Sequence, residues 1–235
     1  MAAFPPETAI HALTELRLPA QWKSPVNTDA MLHILGSSPS SSPGACAPGF
    51  RVLVVCTGNL YRSPLAECLL RQQLLDLDAR QTIRVSSAGT EALPGTPMAT
   101  TVASFLLARG ADPSGTNSRR LTKELVENSD LVLGAAREHR EAAVRLAPTW
   151  SLTRSFTLCE FARLVRAEDA SGVVDPAARF ANLVQGAASR RGAVRAYAGD
   201  DDIDDPVGAG PQEVQKCLER IEGVVQRVAT AVRTG

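Results

Sequence analysis

The sequence predicts a doubly wound α/β domain: a small parallel β-sheet of about four strands with helices on both faces. Two patterns carry this reading. From residue 50 onward, short apolar runs rich in Val, Leu and Ile alternate with longer segments of helical spacing. The runs lack polar alternation, as strands covered on both faces do. Composition agrees: of 235 residues, 44% are hydrophobic and 21% charged, enough apolar surface to build a core.

Residues 1–49 stand apart from that domain. Residues 36–49, Gly-Ser-Ser-Pro-Ser-Ser-Ser-Pro-Gly-Ala-Cys-Ala-Pro-Gly, are a linker that cannot pack a core. Before it, Glu7 to Leu18 has weak helical spacing, with Ile10, Leu13 and Leu16 apolar. This region is expected to be a largely disordered extension carrying at most a small docking helix.

Val52-Leu53-Val54-Val55 is the first strand candidate. A helix is expected to follow, with Ser63 as N-cap, Pro64 at the first helical position, and Leu65, Cys68, Leu69 and Leu75 on one face. Ile83 to Ser86 is the second strand, running into Ala88-Gly89, and Met98 to Arg109 is a helix stopped by Gly110. Leu131-Val132-Leu133 is the third strand and Thr153 to Leu158 the fourth. Residues 160–200 look less regular, as an insertion would. From Pro211 a long helix places Val214, Cys217, Leu218, Ile221, Val225, Val228 and Val232 on one face.

Charge and cysteine usage exclude several functions. Lys and Arg total 25 and Asp and Glu total 25, so no basic field exists for nucleic acid or a membrane surface. The five cysteines, Cys46, Cys56, Cys68, Cys159 and Cys217, form no C-x-x-C pair. The histidines are His11, His33 and His139, so no metal site and no cofactor are expected. The first residues show no basic segment followed by an apolar run, and nowhere do 18 apolar residues follow one another; a soluble, cytoplasmic protein is expected.

The chemistry is concentrated after the first strand, in Cys56-Thr57-Gly58-Asn59-Leu60-Tyr61-Arg62-Ser63-Pro64. A tight strand-to-helix loop turns successive N–H groups toward one point, and the helix N-terminus adds partial positive charge. Gly58 and Asn59 are residue types that tolerate φ > 0. Arg62 offers a planar fork to two oxygens of a tetrahedral anion. Cys56 lies in the same field, which favours its thiolate, and a thiolate facing a bound phosphate is a nucleophile for phosphoryl transfer. Ser63 is placed to donate to that sulfur while capping the helix. Residues 57–63 are therefore the expected phosphate-binding loop.

With its flanks, this loop resembles that of the low-molecular-weight protein tyrosine phosphatases, a group that includes related arsenate reductases. That family's loop reads C-x-G-N-x-C-R-S-P, and C-T-G-N-L-Y-R-S-P stands here. The resemblance continues through Ala66-Glu67, Ser87-Ala88-Gly89-Thr90, Ser118-Arg119-Arg120-Leu121, Ser129-Asp130-Leu131-Val132-Leu133, His139 and Asp205-Pro206. It implies a flavodoxin-like fold and a metal-independent phosphatase, with Cys56 as nucleophile and Arg62 holding the phosphate. A carboxylic acid would protonate the leaving group. Of the Asp-Pro pairs, Asp112-Pro113 and Asp175-Pro176 read as loop chemistry; Asp205 sits at the family's position, with Asp204 as second choice. The implied partner is a phosphate ester, either a tyrosine-phosphorylated protein or a small aryl phosphate. The alternative is arsenate reduction with an external thiol.

Two departures from the family pattern stand out. Tyr61 replaces the second loop cysteine, so an intraloop disulfide cannot form. Val207-Gly208-Ala209-Gly210 follows Asp205-Pro206 where many members carry aromatic rings. Cys68 and Cys217 read as core thiols, and His139 as a structural hydrogen-bonder.

Overall fold

The computed structural model describes residues 49–75, 82–193 and 201–234. The small helix expected over Glu7 to Leu18 and all of the 36–49 linker but Gly49, with His11, His33 and Cys46, lie outside the described residues.

Four strands form one parallel sheet: β1 (Phe50–Cys56), β2 (Ile83–Gly89), β3 (Leu131–Gly134) and β4 (Ser155–Thr157), in the order β2-β1-β3-β4. Phe50 pairs with Ile83 and Cys56 with Gly89 across the β1–β2 ladder, while Val52 pairs with Leu131 on the other side. The helices are α1 (Arg62–Gln73), α2 (Thr100–Leu107), α3 (Lys123–Glu127), α4 (Arg137–Leu146), α5 (Pro148–Ser151), α6 (Leu158–Leu164), α7 (Pro176–Arg190) and α8 (Pro211–Arg233).

Period-two alternation divides β1 between two cores. Val52 and Val54 join the larger cluster, with Leu65, Leu69, Phe180, Ile221 and Val225; Leu53 and Val55 join the smaller one, with Val126, Val132 and Ala143. Both faces are thus covered, which is why β1 reads as an unbroken apolar run. The doubly wound architecture expected from the sequence is present. In this strand order the direction of winding reverses between β1 and β3, and ligands of such sheets bind at the carboxyl ends of the strands at that point. Cys56 ends β1 there.

Several boundaries differ from expectation for local reasons. The first helix begins at Arg62 with Tyr61 in the N-cap position, so Ser63 is inside the helix and does not cap it. β4 is shorter than Thr153–Leu158 because Thr157 opens α6: its hydroxyl accepts from Glu160 N at 3.0 Å, and Glu160 accepts from Thr157 N at 3.2 Å. α2 is trimmed to Thr100–Leu107 and is followed by Gly110 at φ +69°.

The stretch beyond residue 160 is more regular than the sequence suggests. Asp175 accepts from Ala178 N at 2.8 Å and Pro176 sits in the first turn, starting the fifteen-residue α7. That helix buries Phe180, Leu183 and Ala187 fully, and Phe180 stacks on Phe50 at 5.1 Å between ring centroids. Its apolar residues are spaced by small ones (Ala177, Ala178, Ala181), which hid the helical face from a reading based on large side chains. Among the described residues no helix is long and apolar enough to cross a membrane.

Candidate active site

The loop from Cys56 to Arg62 leaves the sheet at the carboxyl end of β1 and turns into α1. Asn59 adopts φ +56°, the one positive φ among described non-glycine residues; the expectation that Gly58 shares this conformation is not met. The turn aims the Asn59 N–H at Cys56 Sγ, 3.3 Å away. From the other side the Ser63 hydroxyl lies 3.0 Å from the same sulfur. Cys56 is 2% exposed, and these two donors are what an ionised sulfur would need there. Ser63 therefore lies within hydrogen-bond distance of the sulfur, as expected, but inside the helix rather than at its cap. Among the described residues the N–H groups of Gly58, Leu60 and Tyr61 have no acceptor, so they are available to an anion, and the start of α1 adds its dipole.

Arg62 is 3% exposed. Its Nη1 donates to the Ile203 carbonyl at 3.0 Å, and its Nη2 donates to the Thr57 hydroxyl at 3.0 Å and pairs with the Asp205 carboxylate. Asp205 Oδ1 in turn accepts from Val207 N at 3.2 Å, which holds the Asp-Pro turn. Of the two acids weighed from the sequence, it is Asp205 that the fold brings to Arg62. The loop carrying it is pinned to the sheet by Ile203 N donating to Ala135 O at 2.9 Å, and by Asp202 accepting from Arg137 N at 2.8 Å.

The remaining loop positions divide between anion and scaffold. Thr57 and Arg62 face the site, while Leu60 O accepts from Ala99 N at 3.0 Å. Tyr61 packs against the main core, so its bulk is turned away from the loop's centre. The Asn59 side chain also points inward: Nδ2 donates to Ser63 Oγ at 2.9 Å and Ser87 Oγ at 2.8 Å, and Oδ1 accepts from Arg119 N at 3.0 Å.

His139 is closer to the chemistry than its sequence context showed. Its Nδ1 accepts from Ala136 N at 3.0 Å, which places the ring hydrogen on Nε2, 3.0 Å from Thr57 Oγ1. Burial, with Arg62 nearby, lowers the His139 pKa to about 4, so the ring is neutral near pH 7. The expectation of a structural hydrogen-bonder is met, with the addition that its partner is a residue of the loop.

The other described cysteines are unsuited to ionise. Burial raises Cys68 and Cys159, and pushes Cys217 up to about 11. Cys217 Sγ donates to Asp204 O at 3.6 Å and Cys68 Sγ lies 3.5 Å from Thr116 Oγ1, as core thiols do. Among the described residues no group of His, Cys, Asp and Glu could hold a metal ion.

Comparison with known proteins agrees with this geometry. Residues 51–186 match the family model described as low molecular weight phosphotyrosine protein phosphatase. The chain is 38% identical over 97 residues to the low molecular weight protein-tyrosine-phosphatase Etp of Escherichia coli K12; the match spans 41% of this chain and 62% of Etp. Among solved structures, the YwlE arginine phosphatase of Geobacillus stearothermophilus superposes with a TM-score of 0.56 at 25% identity, covering 79% of this chain and 94% of that one. A low molecular weight protein tyrosine phosphatase from T. tengcongensis gives 0.56 at 25% identity, covering 77% and 97%. The matched region begins in β1, contains the whole Cys56–Arg62 loop and extends into α7, and the chain belongs to the low molecular weight phosphotyrosine protein phosphatase family.

Proposed function

We propose that residues 50–235 form a metal-independent phosphatase that hydrolyses phosphate monoesters through a phosphocysteine intermediate. The observation that carries this reading is Cys56 Sγ held between the Ser63 hydroxyl and the Asn59 N–H, with the Arg62–Asp205 pair beside it. The phosphate of the substrate takes the Arg62 fork and the free loop amides. In doing so it displaces Asp205 from the guanidinium, and that side chain takes a proton from solvent and faces the leaving oxygen.

The thiolate of Cys56 then attacks phosphorus, forming an S–P bond as the P–O bond to the leaving group breaks. Protonated Asp205 gives its proton to the departing oxygen. In the second half, Asp205 takes a proton from water as the water oxygen attacks phosphorus. The S–P bond breaks, its electron pair returns to Cys56, and inorganic phosphate leaves. Nothing in either step calls for a metal. A reduced thiol is required, which suits a cytoplasmic setting.

For substrate, we favour a protein phosphotyrosine or a small aryl phosphate. The segment that follows Asp205-Pro206, Val207-Gly208-Ala209-Gly210, carries no aromatic ring, so ring stacking from it adds nothing and the phosphate itself dominates recognition.

The deciding experiment is hydrolysis of p-nitrophenyl phosphate at mildly acidic pH with a chelator present, comparing wild type with Cys56→Ser and Asp205→Ala. Turnover abolished by the first change and slowed about a hundredfold by the second supports both roles. A folded wild type that releases no nitrophenol overturns the proposal. Assays with a phosphotyrosine peptide and with phosphoarginine, the latter prompted by the arginine phosphatase neighbour, then separate the substrate classes.

A further inference from the structure

His139 is a buried titratable group that the chemistry above does not use. It lies in the first turn of α4 and is 1% exposed. The Ala136 N–H can only donate, so Nδ1 must present a lone pair to it, and the neutral ring carries its hydrogen on Nε2. Two acceptors lie near that nitrogen: Thr57 Oγ1 at 3.0 Å and, farther off, Oε1 of the exposed Glu138 at 3.5 Å. The shorter contact is the hydrogen bond, and it goes to the residue next to Cys56.

Counting hydrogens around Thr57 Oγ1 shows what this contact does. A hydroxyl has two lone pairs and one hydrogen. Arg62 Nη2, which can only donate, occupies one lone pair at 3.0 Å, and His139 Nε2 occupies the other. The hydroxyl hydrogen is therefore shut out of both contacts. Among the described residues Thr57 Oγ1 makes no further hydrogen bond, so that hydrogen is uncommitted. Arg62 Nη2 also pairs with Asp205, which makes the hydroxyl and the carboxylate neighbours on one nitrogen. A phosphoryl oxygen that displaces Asp205 from Nη2 arrives beside a hydroxyl with a hydrogen to give.

We propose that Thr57 is a catalytic residue whose hydroxyl donates to the phosphoryl oxygen held at Arg62 Nη2, and that His139 is the positioning residue that keeps this hydrogen turned toward the phosphate. The proposal rests on the reading of the Cys56 loop as a phosphate site. The bond to an anionic oxygen is charge-assisted, and its donor is in place before the substrate arrives. It serves both half-reactions, since the phosphoryl group stays on the loop while the leaving group departs and water replaces it. Without the His139 ring, one lone pair of Thr57 is idle and the hydroxyl can rotate away from the phosphate.

The test pairs p-nitrophenyl phosphate kinetics with the protection that inorganic phosphate gives Cys56 against iodoacetamide, read by mass spectrometry of the Cys56 peptide. Thr57→Val keeps the side chain's shape without its hydroxyl and is expected to lower kcat/KM and to weaken phosphate protection, each by about tenfold. Thr57→Ser keeps the hydroxyl and is expected to recover most of both losses. His139→Ala is expected to cost about three- to tenfold in kcat/KM, and to add nothing further in a Thr57→Val background. Alkylation in the absence of phosphate should be alike in all of these proteins, because the sulfur's contacts are with Ser63 and Asn59. A merely structural role for either residue would move it.

A folded Thr57→Val protein with wild-type kcat/KM and wild-type phosphate protection overturns the proposal. So does a Thr57→Ser protein as impaired as Thr57→Val, an undiminished loss from His139→Ala in the Thr57→Val background, or a changed alkylation rate without phosphate. If Thr57→Val does not fold, Thr57→Ala takes its place in each comparison. A wild type that phosphate protects but that cleaves no phosphate ester sinks the phosphatase reading alone, and the protection assay still decides on Thr57 and His139. One that phosphate does not protect sinks both.

Discussion

Arg62 and Asp205 stand 143 positions apart in the chain and meet as an ion pair beside the loop that begins at Cys56. The same guanidinium holds the Ile203 carbonyl and the Thr57 hydroxyl, so one side chain ties α1, the loop and the 201–206 segment together. An ammonium group is a point charge and cannot reproduce that planar fork. Arg62→Lys should lower kcat/KM for p-nitrophenyl phosphate by about a hundredfold or more. Urea unfolding should show it less stable by about 1–2 kcal/mol. Asp205→Asn should cost under about 1 kcal/mol, because the carboxylate is 39% exposed and its pair is screened. Its main effect should fall on kcat.

His139 predicts a pH dependence of stability. Its folded pKa is lowered from 6.5 to about 4. Below pH 6.5 the unfolded chain binds a proton that the folded ring refuses, so stability declines as pH falls and levels off below about 4. The loss attributable to this ring is about 3 kcal/mol over that window. His139→Gln removes the titrating group and keeps an amide able to reach Thr57. Urea midpoints between pH 7 and pH 4.5 should therefore fall more steeply for wild type than for the variant.

Gly89 ends β2 against the back of the loop. A Cβ there would overlap the Thr57 carbonyl oxygen and lie 2.9 Å from Asn59 N, the amide that points at Cys56. Neither backbone group can retreat without moving the sulfur's donors. Gly89→Ala should destabilise by about 1–3 kcal/mol and slow alkylation of Cys56 at neutral pH, even though residue 89 touches no substrate.

Phe180 tests whether α7 belongs to the domain core. Its ring is fully buried and stacked on Phe50 at the start of β1. Phe180→Ala should lower the unfolding free energy by about 3–5 kcal/mol in one cooperative transition. A small loss, or a separate early transition, would show that residues 160–190 are an appendage.

Much of the site was legible because it is contiguous. Residues 56–64 combine an apolar strand, a turn and a helix start, and elementary rules for each say where an anion, a guanidinium and a thiol would meet. That the sheet is covered on both faces followed from uninterrupted apolar runs such as Val52–Val55, since only a doubly covered strand can omit polar residues; the order β2-β1-β3-β4 came from the structure. The terminal helix was legible from seven apolar positions at helical spacing.

What the sequence left open depended on groups brought together from distant positions. The contact of Ser63 with Cys56 was legible, but not that Ser63 lies inside the helix, nor that the Asn59 side chain and the Ala88 carbonyl at the end of β2 are its other partners. Asp205 could be ranked above Asp204, but only the fold sets one of them against Arg62. Glu67 and Ser63 were four residues apart on a helix, a spacing that places them on one face, yet their connection runs through Ser87, 20 positions beyond Glu67. His139 met Thr57 across 82 positions. Composition and periodicity fix which side chains are buried, whereas hydrogen bonds are directional and need both partners within about 3 Å, so their pairing is decided by tertiary structure.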